Sequence, residues 1–305
     1  MSRPGTARSP LVAPLFVLVA SAAFATSGPL ARVARPEHPL AIAFGRVLLA
    51  GAILFLIDVR GAVTAARRLT SAARNAVLLG GALLAVHFAC FIWGLDETSL
   101  PAAIALVSLE PLSVVVAAWA LHGDRPRRLE ALGVVVATIG GFVVSRGAGS
   151  GEHRLFGDVL VIVAVVLYGG YVAVVRKTQG AIAARHAAPL VYLTAAACLL
   201  VGLLLAPARA GSVVWPPPRH AVLAIVALAA IPTLVGHTSI QVASRRLSPS
   251  VVALVSPGES VGGIAIAALW MHAWPTPVEA AGALVIVLGA TIAIVSSSSG
   301  GAQRP

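Results

Sequence analysis

The apolar residues of this 305-residue chain recur along its whole length in uninterrupted segments of about 20, and no other feature restricts its fold so much. A helix needs about 20 mostly apolar residues to cross a hydrocarbon core roughly 30 Å thick. Ten segments qualify, at approximately 11–31, 38–57, 75–95, 100–121, 128–146, 155–175, 187–206, 220–243, 250–270 and 277–296. Lipid offers no partner to free backbone groups, so runs this long and continuously apolar read as helices and not as barrel strands. The ten segments leave no length for a soluble domain. The expected fold is therefore an all-α integral membrane protein with ten transmembrane helices.

Charge refines this into a topology. A net charge of +11 would suit a nucleic-acid partner only if the basic residues clustered on a soluble face, and the sequence offers none. With the N-terminus in the cytoplasm, 15 of the 22 Lys and Arg fall on inner segments, among them Arg60, Arg67, Arg68, Arg74, Arg125, Arg127, Arg128, Arg176, Lys177 and Arg185. Six fall outside, and Arg46 alone lies within a span. The positive-inside rule then places both termini in the cytoplasm. Arg3 and Arg8 before an apolar run also suit a cleaved signal peptide, but its removal would leave nine spans and spoil the charge alternation. Cys90 and Cys198 lie in apolar spans and read as small core residues, with no disulfide framework, metal site or cofactor implied.

The chain also repeats itself. A shift of 149 residues lays "EALGVVVATIGG" (130–141) on "EAAGALVIVLGA" (279–290), matching Glu130 with Glu279, Gly133 with Gly282 and Gly140 with Gly289. The same shift carries Glu110 onto Glu259; a shift of 148 aligns "ALVS" (105–108) with "ALVS" (253–256), and one of 150 aligns His87 with His237. Each half then holds five spans. Because five is odd, the second half enters the membrane from the opposite side, and such inverted repeats place a binding site near the bilayer midplane.

Several of these residues form a recognisable pattern. Ser108-Leu109-Glu110-Pro111, followed by Gly123-Asp124-Arg125-Pro126, Glu130 and Gly133, resembles the end of a five-helix half in the EamA-like branch of the drug/metabolite transporter superfamily. "GDVLVIVAVVLYGGYVAVVRK" (157–177) resembles the start of that family's second half. In the second half, His272-Ala273 replaces the family's Gly-acidic pair, and Pro257 is displaced relative to Pro111, which Ser260 faces in the alignment. The resemblance implies two EamA-like five-helix repeats, at 1–150 and 151–305, a bacterial plasma-membrane location, and carriage of small metabolites or drugs, commonly outward.

The candidate site residues are the polar groups the spans should not contain. Glu110 is eleventh in its segment, about 15 Å from either end. An ionised carboxylate there costs on the order of 3 kcal/mol on insertion scales unless it faces a cavity, takes a partner or stays protonated. Glu110 and Glu259 thus read as coupling or substrate-recognition groups, with polar glue between helices as the structural alternative. Pro111, Pro257 and Gly258 are expected to break their helices, as chains do beside a cavity. His87 and His237 suit a proton relay or hydrogen-bonded core positions. Arg46 must snorkel, meet an anionic group or pair with a carboxylate, Glu110 being the expected partner.

Tyr168, Tyr171, Gln241, Trp93 and Trp119 are further candidates for lining a pocket, although Trp93, Trp215, Trp270 and Trp274 also suit interfacial anchoring. Asp158 is expected to cap the sixth span, and Glu130 and Glu279 to stand near the starts of the fifth and tenth. A phosphate-cradling "GxxxxGK[ST]" loop is missing, so transport would be gradient-driven or facilitated. The sole lysine, Lys177, lies at a span end, which disfavours phosphorylated solutes. Expected partners are a small-molecule substrate such as an amino acid, its derivative or a drug-like solute, the lipid bilayer, and protons as coupling ion. A channel or membrane scaffold is an alternative. An intramembrane enzyme is another, although "HExxH", "GxSxG" and a paired intramembrane aspartate are all missing.

Overall fold

In the computed structural model, residues 12–98, 103, 106–147, 155–178, 180–205, 216–270 and 274–298 are described. These residues form helices and connecting turns, with no strand among them. The first apolar segment is broken at Ala25-Thr26 into α1 (Val12–Phe24) and α2 (Ser27–Val33). Next come α3 (Pro39–Ile57), a short α4 (Val59–Arg67), α5 (Ser71–Glu97) and α6 (Glu110–His122). α7 (Arg128–Gly147), α8 (Leu155–Arg176) and α9 (Ala184–Leu205) follow. The eighth segment runs from α10 (Arg219–Leu228) through a π-helical stretch, Ala229–His237, into α11 (Thr238–Ala243). α12 (Pro249–Val252), α13 (Val255–Trp270) and α14 (Pro277–Ser298) complete the chain.

Among the described residues, seven helical stretches, against the ten expected, are long and apolar enough to cross a membrane, and Glu110–His122 and Ser250–Ala265 are shorter apolar helices beside them. Their ends carry ordinary helix punctuation. His38 Nδ1 accepts the Leu40 N–H at the start of α3, where Pro39 needs no amide partner, and Gly123 closes α6 at φ +72°. Glu279 Oε2 accepts from both the backbone N–H (2.7 Å) and the hydroxyl (2.9 Å) of Thr276, a capping box. Its counterpart Glu130 accepts the Arg127 backbone N–H at 3.4 Å, so both stand at helix starts as expected. Asp158 is in the first turn of α8, and its carboxylate accepts the Thr98 hydroxyl at 2.7 Å, tying α8 to the end of α5.

Helix packing repeats in pairs. α5 packs on α8 as α1 packs on Ala229–Ala243, α6 packs on α8 as α13 packs on α1, and α9 packs on α5 as α3 packs on the π-helical stretch. α3 against α9 and α7 against α14 are their own counterparts. The α7–α14 contact is a glycine seam. A Cβ at Gly133 would lie 2.6 Å from the Gly289 carbonyl, and one at Gly140 would lie 2.9 Å from that of Gly282. Gly133 meets Gly289 while Gly140 meets Gly282, so the two helices run antiparallel. The 149-residue shift turns the first contact into the second.

Candidate functional site

Polar side chains gather where the helices are least regular. The Thr233 hydroxyl donates to the Leu228 carbonyl at 2.8 Å, within the π-helical stretch that contains Pro232, whose own nitrogen carries no proton to give. The remaining lone pair of Thr233 Oγ1 receives Arg46 Nε at 3.0 Å. Arg46 Nη1 reaches Ser27 Oγ at 3.4 Å, just beyond the α1–α2 break, and its guanidinium lies 4.1 Å from the Phe88 ring centroid. This arginine, 1% exposed, is the largest fully buried side chain among the described residues.

Glu110 opens α6, with Pro111 in the same first turn, where amide N–H groups have no intrahelical partner. A helix N-terminus favours negative charge and offsets part of the cost of burying this carboxylate. The Ser256 hydroxyl, from the first turn of α13, donates a hydrogen bond to Glu110 Oε2. Glu259 lies one turn further along α13, half-buried, within electrostatic reach of both Arg46 and Glu110. His87 contacts the Ala164 carbonyl through Nδ1 at 2.9 Å. A carbonyl only accepts, so Nδ1 carries the proton and Nε2 is the ring atom left for the cavity. The ring of His237 packs 4.6 Å from Phe24, 5.1 Å from Phe88 and 6.2 Å from Tyr168, and its buried Nδ1 has no hydrogen-bond partner among the described residues.

Arg46, His87, Glu110, Tyr168, His237 and Glu259 thus line one cavity, together with Phe24, Phe88 and Phe91. It encloses about 30 Å³, room for one or two water molecules. Tyr171 and Gln241 stand behind it. Gln241 Nε2 donates to the Tyr171 hydroxyl at 3.1 Å, and the Tyr171 ring lies 6.0 Å from that of His237. No group of three or more His, Cys, Asp or Glu among the described residues is placed to hold a metal ion.

The structure departs from the sequence expectations at Arg46, Trp119, Gly258 and Cys198, the last of which is exposed on α9 and is not a core residue. Arg46 is bonded to Thr233 and Ser27, not to Glu110, whose partner is Ser256; hydroxyls beside two helix irregularities reach each charge first. Trp119 is 52% exposed on the outer face of α6, away from the cavity. Gly258 lies inside α13 and does not break it; the turn falls earlier, at Ala253-Leu254. A Cβ at Gly258 would sit 2.3 Å from Ser21 Oγ, so this glycine is there for the approach of α1. Pro111 and Pro257 both sit in first helical turns, next to the irregularities they were expected to mark. Trp93 is partly buried between His38 and Phe156, and Trp215 lies outside the described residues.

Sequence reading missed Ser27, Thr233, Ser256 and the three phenylalanines. Ser256 had a signal, since it is the serine of the second "ALVS". Phe88 and Phe91 follow His87 at one and four residues, on or near the same helix face.

A family model described as "EamA-like transporter family" matches residues 11–146 and 155–295. No curated protein matches the chain. A solved chain described as "Crystal structure of protein" is 20% identical, with a TM-score of 0.75 over 95% of this chain and 99% of its own, and shows a shared fold.

Proposed function

This chain belongs to the EamA-like transporter family, and from that premise we propose that it is a secondary transporter exporting a small organic solute by alternating access. The solute class is an amino acid, an amino-acid derivative or a drug-like molecule with a cationic group. One observation carries the reading: two carboxylates, Glu110 and Glu259, share one cavity with a single arginine. With all three ionised the cavity holds a net charge of −1, and a buried uncompensated charge is costly. One proton or one cationic group of a substrate removes it, and the two therefore compete for the same place. That competition is the basis of proton-coupled exchange.

The cavity holds only about 30 Å³, so the surrounding helices must separate to admit a solute. The irregular elements around it, at Ala25-Thr26, Ala229–His237 and Ala253-Leu254, are where such separation needs the least disruption of regular hydrogen bonding. The paired packing and the antiparallel glycine seam support ten spans in two inverted repeats, 1–150 and 151–305, that move against each other. The charge distribution supports cytoplasmic termini in a bacterial plasma membrane.

The test is transport in proteoliposomes with a substrate found by comparing metabolites excreted by cells with and without the protein. E110Q and E259Q should each abolish acceleration of uptake by an imposed pH gradient. Acceleration that persists undiminished in both variants overturns the coupling role of the carboxylates.

A further inference from the structure

A second polar depression, sharing no lining residue with the central cavity, lies just past the end of α3. Leu56 and Ile57 end α3 and are 71% and 74% exposed, as suits side chains against lipid acyl chains. Asp58 follows at once and caps α4, accepting the Gly61 N–H at 2.9 Å. α4 therefore starts at the level where hydrocarbon gives way to headgroups. It packs on α9, burying Ala62, and presents Val59, Arg60, Arg67 and Arg68 outward.

Between α4 and the α8–α9 connection lies an open depression of about 450 Å³, lined by Arg60, Thr64, Arg68, Ile182 and His186 among others. The carboxylate beside it is already engaged: Asp58 pairs with His186 Nε2 at 2.8 Å, and a Cβ on Gly61 would collide with both partners. No hydrogen bond or ion pair among the described residues holds the guanidinium of Arg60 or of Arg68, and Arg185 adds positive charge beside them. The depression is thus cationic and rich in unused N–H donors, and exposed Leu56, Ile57 and Val59 stand at the α3–α4 junction that precedes it in the chain.

We propose that this depression binds the headgroup phosphate of an anionic phospholipid from the leaflet that α4 faces, with Arg60 and Arg68 as its ligands. Guanidinium groups match phosphate oxygens in forked pairs, and each arginine near a membrane surface adds to the attraction for anionic lipid. The exposed apolar residues at the α3–α4 junction favour a lipid over a free phosphate as the source, because they give the acyl chains of the same molecule a surface to lie on. The bound lipid would hold α4 against α9.

The experiment uses the purified full-length chain in neutral detergent, with lipid retention read by native mass spectrometry and stability by thermal unfolding. Phosphatidylglycerol should be retained and should raise the unfolding temperature, whereas phosphatidylcholine with the same chains and millimolar inorganic phosphate should not. R60Q/R68Q should weaken the apparent affinity for phosphatidylglycerol by about tenfold or more. R67Q/R74Q, which removes the same charge outside the depression, should keep most of it. R60K/R68K covers the case in which the glutamine variant does not fold: it retains charge but loses the fork, and should bind several-fold more weakly. The proposal fails if phosphatidylcholine binds as well, if inorganic phosphate alone gives the full stabilisation, or if the variants with altered Arg60 and Arg68 bind phosphatidylglycerol like the parent.

Discussion

Thr233 performs two tasks with one hydroxyl, donating to the Leu228 carbonyl beside Pro232 and accepting from a fully buried arginine. T233V keeps the shape and removes both bonds, so Arg46 Nε is left buried without this acceptor and the Leu228 carbonyl loses its hydroxyl donor. The expected loss is about 1–3 kcal/mol, seen as an unfolding temperature lower by a few degrees, with T233S close to the parent. An unchanged value for T233V would mean that Arg46 is held by Ser27 and Phe88 alone. Asp58 is the titrating counterpart outside the spans. Its hydrogen bond from His186, and then that from the Gly61 backbone, hold its pKa below the ordinary 3.8. A depressed carboxyl pKa contributes stability above the ordinary value and loses it as pH falls through the folded-state value. D58N should therefore lower the unfolding temperature at neutral pH, and its gap to the parent should close at pH below about 4. A gap independent of pH would assign the effect to geometry alone. Residues such as Glu110, Glu259, His87, His237 and Arg46 were legible because charge and imidazole are costly in apolar runs. Thr233 and Ser256 were not, since serine and threonine are common in membrane helices and reveal themselves only through what a broken helix leaves unpaired.

At the scale of elements, the hydrophobic segments predicted the long helices to within a few residues, because length and apolarity are all that a crossing helix needs. They did not predict α4, which is too short and too basic to register as apolar and gains its helicity from the Asp58 cap and packing on α9. Nor did they predict the breaks at 25–26 and 253–254 or the π-helical stretch, since hydropathy is blind to backbone hydrogen-bond register. The glycine pattern was legible as a repeat in "EALGVVVATIGG" and "EAAGALVIVLGA", and the structure gives its physical reason: four glycines let α7 and α14 touch backbone to backbone. A side chain at Gly289 would meet the Ala137 nitrogen at 2.4 Å and the Gly133 carbonyl at 2.6 Å, and backbone cannot swing aside as a side chain can. G289V should cost about 1–3 kcal/mol or prevent assembly, while G202V, where a Cβ meets nothing within 4 Å, should be near neutral. Equal unfolding temperatures for the two variants would show that the α7–α14 seam does not contribute to stability.

Over the whole molecule, the two ends of the bundle are fastened at corresponding places. At one end Arg35 Nη2 donates to the Leu95 carbonyl at 3.2 Å, and the guanidinium pairs with Asp96, joining the α2–α3 turn to the end of α5. At the other, Arg245 Nη1 donates to the Ile182 carbonyl at 3.0 Å, joining the end of α11 to the α8–α9 connection. The 149-residue shift carries Asp96 onto Arg245 and Arg35 onto Ala184, two residues beyond Ile182, so the fastenings join equivalent pairs of elements through different chemistry. The central cavity holds about 30 Å³, too little for an organic solute. Alternating access requires each fastening to release in turn. With Cys90 and Cys198 replaced, R35C/D96C and A181C/R245C place thiols across the two fastenings, where a reducible bifunctional reagent can bridge them. Each bridge alone should stop net transport in proteoliposomes, and reduction should restore it. Substrate binding should survive from the unbridged end only, so the two bridged proteins should differ in the side from which they bind. Undiminished flux through either bridged protein would mean that solute crosses without that end opening, and the two halves would then not be the moving parts.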